Sequence, residues 1–115
     1  MENKMQIPSR VMILICDEIE HAEKKHPFWP TSLLHQVAIL NEESGEVTKS
    51  VLHITEWEKA KFEHNSTRQI QKEELERFYT ELEKELAQTA AMAIRMLSNL
   101  RTDKRDEEAG SSQAG

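Results

Sequence analysis

The chain has 115 residues and a net charge of −6, with 37% hydrophobic residues, 5% aromatics and 31% Asp, Glu, Lys and Arg. That length suits one domain, and the acidic balance argues against nucleic acid as the main partner, since a phosphate backbone calls for a concentrated basic face. The single cysteine excludes an internal disulfide and a cysteine-built metal site, and the longest apolar run, Val11 to Cys16, is far short of a membrane span.

With three Gly and three Pro, the composition favours long helices over a turn-rich sheet protein, so the class is expected to be all-α. Long helices in so short a chain leave wide apolar stripes uncovered, which predicts subunits that complete one another's cores as a dimer or tetramer. No signal-peptide pattern opens the sequence, and a cytoplasmic protein is expected.

In chain order, Pro8 ends a polar start and Ser9 stands where an N-cap would serve a first helix beginning at Arg10. Val11, Leu14, Ile15, Ile19 and Ala22 give that helix its stripe, and Lys24-Lys25-His26-Pro27 stops it. The segment His26-Pro27-Phe28-Trp29-Pro30 cannot continue a helix and holds two of the aromatics in a rigid turn, either a structural plug or a platform for a flat ligand. Thr31 or Ser32 then caps a second helix carried to about Glu56, with Leu33, Val37, Leu40, Val47, Val51 and Ile54 at steps of three and four. Residues 57–71 are polar and mixed and read as an insertion with a loop at 63–67, tacked down by Trp57 and Phe62. A last long helix runs from about Gln71 to Leu100, striped by Leu75, Phe78, Leu82, Leu86, Ala90, Ala93, Leu97 and Leu100. Beyond Arg101 no large apolar residue remains, which predicts a single helical domain over residues 1–101 and a disordered tail over 102–115.

Chemistry concentrates in the second helix. Glu43 and Glu46 lie on neighbouring turns at the border of its apolar stripe, with Glu42 further round, so carboxylates meet a packing surface and ask for a counter-charge. In the last helix Glu85 and Gln88 are again three apart and hold the matching phase. If the two helices pack antiparallel, Glu43, Glu46, Glu85 and Gln88 converge as oxygen ligands suited to Mg²⁺ or Mn²⁺ and to no soft metal. A di-iron bundle needs paired Glu-x-x-His motifs. Glu18-Ile19-Glu20-His21 supplies one and no second appears.

Glu42-Glu43-Ser44-Gly45-Glu46-Val47, with Glu85-Leu86-Ala87-Gln88 on a later helix, resembles the E-E-x-x-E and E-x-x-D motifs of the MazG-like all-α NTP pyrophosphohydrolases. His26 to Pro30 and Gln88 to Arg95 resemble two further segments of a MazG-like subgroup. The resemblance covers roughly residues 20 to 100. It implies an antiparallel helical bundle completed by oligomerisation, and Mg²⁺-dependent cleavage of a nucleoside triphosphate between the α and β phosphates to give a monophosphate and pyrophosphate. It further implies metal ligands at Glu43, Glu46, Glu85 and Gln88, and Glu42 as the group that orients or deprotonates the attacking water. For the substrate, Phe28 and Trp29 are expected near the base and Lys49 or Arg95 near phosphate oxygens. Two features depart from the pattern: Gln88 stands where the motif has aspartate, and the 57–71 insertion lengthens the connection between the motifs. The first favours, as the alternative, a catalytically weak or inactive MazG-like protein that binds a nucleotide or a partner.

Overall fold

The structure, a computed structural model, describes the backbone of residues 5–60 and 68–114 and the side chains of residues 5–60 and 71–101. Over these residues it is all-helical: α1 (Ser9–Lys25), α2 (Leu33–Ala60) and α3 (Arg68–Ala114). None of these helices is long and apolar enough to cross a membrane.

Helix α3 is the spine. Both α1 and α2 pack on it, and α1 and α2 make no packing contact with each other. The directions follow from the cross-helix pairs. Trp57 Nε1 donates to Glu74 Oε2 at 2.8 Å, and the His53 and Phe78 rings lie 6.2 Å apart, so α2 runs antiparallel to α3. Arg10 donates from one terminal nitrogen to both carboxylate oxygens of Glu83 at 2.6 and 2.7 Å, and the Arg95 guanidinium reaches the His26 carbonyl, so α1 runs in the same sense as α3.

Helix ends obey local chemistry with one change from expectation. Ser9 is the first helical residue of α1 and not its cap: Pro8 holds the cap position with no side-chain bond, and its carbonyl accepts from the Met12 N–H. Pro8 suits a helix start because its φ is fixed near the required range. At α2 the cap is Ser32, whose Oγ accepts from the His35 N–H at 3.3 Å. The helix then passes through Trp57 to Ala60, so the first part of the expected insertion is helical, and α3 begins at Arg68. The expected loop at 63–67 lies outside the described residues, as does the Phe62 side chain. At its other end the backbone of α3 runs to Ala114.

The core is small and formed by close approach. Ala87, Ala91 and Met92 of α3 and Ile54 of α2 are its buried hydrophobics, joined by Gln36, Ser50 and Arg95. The face of α3 that packs is therefore rotated from the expected stripe: Leu86 is 51% exposed and Leu97 72%, while Ala87 and Ala91 between them are buried. Small side chains let helix backbones approach, and the bulkier leucines are left on the outer side.

Candidate functional site

Between α1 and α2, above α3, lies a cavity of about 550 Å³ closed at one end by the turn that joins α1 to α2. A volume of this order suits a small-molecule ligand. Each helix presents one stripe to it: Glu18, His21, Ala22 and Lys25 from α1, His35, Ile39, Glu42 and Glu43 from α2, and Gln88, Met92 and Arg95 from α3. Steps of three and four bring such residues onto one face.

The turn forms the end wall. Gln36, only 1% exposed, donates from Nε2 to the Pro30 carbonyl at 2.8 Å, tying the turn down onto α2. Arg95, 7% exposed, lies over the Trp29 ring at 4.8 Å and donates from a terminal nitrogen to the His26 carbonyl at 2.9 Å. A cation stacked on an indole face while bonding a backbone carbonyl fixes both ends of the turn. Trp29 is thus half-buried with one face occupied by Arg95, whereas Phe28 is 89% exposed at the rim. The Trp29 indole Nε1 is buried without an acceptor.

The stripes share a polarity. On α1, Glu18 precedes Lys25 by seven residues; on α3, Gln88 precedes Arg95 by seven; on antiparallel α2, His35 precedes Glu42 by seven. Seven residues are about 10 Å of helix. The cavity therefore has a carboxylate and amide end, at Glu18, Glu42, Glu43 and Gln88, and a cationic and imidazole end next to the turn, at Lys25, His35 and Arg95.

Beside the acidic end the two expected motifs meet. Burial, then repulsion from Glu85 and from Glu42, Glu46 and Glu18, pushes the Glu43 carboxyl above its ordinary range. Burial first, then Glu46, pushes Glu85 up as well, with Lys84 opposing and Glu81 and Glu18 adding to the rise. One Glu85 oxygen, Oε2, is buried with no hydrogen-bond partner. A buried carboxylate oxygen left bare among like charges is what a hard dication would relieve, and the available donors are all oxygens, so Glu43, Glu46, Glu85 and Gln88 fit Mg²⁺ or Mn²⁺ in donor type. Among the described His, Cys, Asp and Glu side chains, no three already converge into a ready coordination sphere.

Of the residues singled out by sequence, Phe28, Trp29, Glu42, Glu43, Gln88 and Arg95 line one cavity. Glu46 and Glu85 act electrostatically at Glu43 from beside it. Lys49 stands apart: its Nζ pairs with Glu46 at 3.6 Å, one turn back on α2 and off the cavity wall. Sequence reasoning missed the contribution of α1. Glu18 and Lys25 are seven residues apart on one face, but in sequence Glu18-x-x-His21 reads only as half of a di-iron pattern. Gln36 gave no signal, because a glutamine inside an amphipathic helix looks solvent-facing until the turn folds over it. Comparison with protein-family models, with curated proteins and with solved structures returns no match, so what this cavity can do has to be argued from its own residues.

Proposed function

We propose that the cavity holds a nucleoside triphosphate and that the protein is a MazG-like pyrophosphohydrolase, releasing a nucleoside monophosphate and pyrophosphate. The observation that carries this reading is the meeting of Glu43, Glu46 and Glu85 from two antiparallel helices, with Glu85 Oε2 bare, beside a cavity walled by Trp29 and Arg95. A Mg²⁺ or Mn²⁺ ion bound by Glu43, Glu46 and Glu85, with Gln88 as a neutral fourth donor, would supply positive charge to the bridging phosphates.

The chain's own groups do the rest. Glu42 lines the cavity without being needed as a ligand, so its carboxylate is free to take a proton from water as the water oxygen bonds to phosphorus. The α–β bridging bond breaks, its electron pair leaves with pyrophosphate, and the proton stays on Glu42 until solvent removes it. Trp29, held by Arg95, offers a flat apolar wall at the other end.

The same reading makes the protein a homo-oligomer, a dimer or a tetramer. On α2, Leu33 is 58% exposed, and Leu34, Val37, Val51 and Leu52 are exposed with it, a surface of the kind that subunits cover. Sedimentation showing a stable folded monomer at micromolar concentration would remove that part.

Gln88 favours one second reading: with a neutral amide where a carboxylate would strengthen metal binding, the chain binds a nucleotide or a partner without hydrolysing it. The deciding measurement is pyrophosphate release from canonical and modified nucleoside triphosphates and from phosphoribosyl-ATP, with Mg²⁺ and with Mn²⁺. Release above background with any of them supports the hydrolase. Silence across the panel, in the Gln88→Asp variant too, transfers the case to binding.

A further inference from the structure

We infer that Lys25, His35 and Arg95 form a phosphate subsite at the turn end of the cavity, separated from the carboxylates by about 10 Å of helix. This deepens the nucleotide reading by naming where the substrate's phosphate chemistry meets cations of the chain itself, with Lys25 and His35 replacing Lys49 in that role.

Arg95 is the anchor. Its guanidinium carries five N–H donors, and only one hydrogen bond, to the His26 carbonyl, is made by it among the described residues. Among the described residues no carboxylate lies within ion-pair distance of it, although it is 93% buried in a chain of net charge −6. Burying a charge without a counter-charge is costly, and the Trp29 face offsets only part of that cost. A purely structural role, covering the last carbonyls of α1 and pinning the turn, uses one donor edge and leaves the charge unanswered. Phosphate oxygens would answer it, since the planar fork of a guanidinium matches them in geometry and sign.

Three other groups point the same way. Lys25 lines the cavity and makes no ion pair among the described residues, whereas its neighbour Lys24 pairs with Glu20 at 3.3 Å. His35 adds a ring nitrogen from α2. Trp29 lines the same cavity, and its indole Nε1 is buried with no acceptor among the described residues. A buried donor left without an acceptor is unfavourable. The carboxylates Glu18, Glu42 and Glu43 face this cavity as well, but Glu18 lies about two helical turns from Lys25, and Glu42 and Glu43 about two turns from His35, so they set a polarity along the cavity.

The test is titration of inorganic pyrophosphate into the full chain in EDTA, followed by calorimetry. Saturable binding is expected, weakened at least tenfold by Lys25→Gln and weakened by His35→Gln, with Lys24→Gln and Lys49→Gln unchanged. Arg95→Lys should also weaken it; because Arg95 holds the turn, Lys25→Gln, on an exposed side chain, carries the decision. No binding in EDTA, binding that requires Mg²⁺, equal affinity in Lys25→Gln, or equal competition by sulfate would each overturn the subsite. A chain that binds pyrophosphate through Lys25 yet hydrolyses no nucleotide keeps the subsite and loses the hydrolase, and the reverse pattern overturns the subsite alone.

Discussion

Gly45 sits between the two carboxylates of the first motif, in the interior of α2, and its replacement by alanine should stabilise the protein. A Cβ built at this position meets no heavy atom within 4 Å, and no glycine among the described residues has a positive φ, so neither space nor backbone requires glycine here. Gly in a helix interior is about 0.8–1.0 kcal/mol worse than Ala. With no clash to subtract, Gly45→Ala should gain close to that full amount. For a domain of this size the gain corresponds to a rise in melting temperature of roughly 4 °C. Helical circular dichroism followed through thermal unfolding reads it, at several protein concentrations because association shifts apparent stability. A melting temperature that falls, or a rise at low concentration that vanishes at high concentration, would refute the reasoning. Either result would mean that something outside the single chain approaches Gly45 closely.

Gln36→Ala removes the donor that ties Pro30 to α2 and should cost about 1–3 kcal/mol, read by urea unfolding, with Trp29 emission shifting red in a Trp57→Phe background as the turn loosens. Ser32→Ala removes the cap of α2; at 3.3 Å the bond is long, so a loss near the lower end of about 0.5–2 kcal/mol is expected in the same assay. Glu43 and Glu85 have folded pKa values above their ordinary 4.5, so the native chain holds protons that the unfolded chain has lost, and stability without divalent cations should fall as pH rises through that window. Glu85→Gln should therefore stabilise the metal-free chain at pH 7 and do little at pH 4; the opposite trend would mean that this carboxylate is already compensated. Gln88→Asp should tighten Mn²⁺ binding, and Glu42→Gln should leave it nearly unchanged while lowering turnover; equal Mn²⁺ affinity in Gln88→Asp would place residue 88 outside the ligand set.

The helices were legible because steps of three and four persist over many turns and outweigh local noise, whereas the antiparallel pairing of α2 with α3 entered only as a condition of the metal site and through the resemblance. The rotation of the helices was not legible. An arc containing Leu86, Ala87, Ala90, Ala91, Ala93 and Leu97 is apolar over too wide an angle to say which edge packs, and Ala87 and Ala91 proved to be the covered edge. The meeting of Glu43 with Glu85 needed only the pairing and a rough register, so rotation mattered less to it. Lys49 shows where the sequence reached its limit: being one turn from an acidic residue placed it near the site on paper, and that same proximity pairs it with Glu46.

What no single helix could disclose is the polarity of the cavity, because it is a relation among three directions. Glu18 with Lys25, Glu42 with His35 and Gln88 with Arg95 are ordinary spacings on their own helices. They line up only because α1 and α3 run one way and α2 the other, so that Lys25 and Arg95, after the acceptor on their helices, and His35, before it on α2, all fall beside the same turn. Reverse any one helix and its lysine, arginine or histidine would fall among the acceptors at the other end. The turn at residues 26–32 sets the reversal between α1 and α2, and Gln36 and Arg95 hold that turn from α2 and α3 respectively. Substitutions that free the turn should therefore mix the two ends of the cavity and weaken cation and phosphate binding together, whereas substitutions at Glu46 or Lys25 should weaken only one.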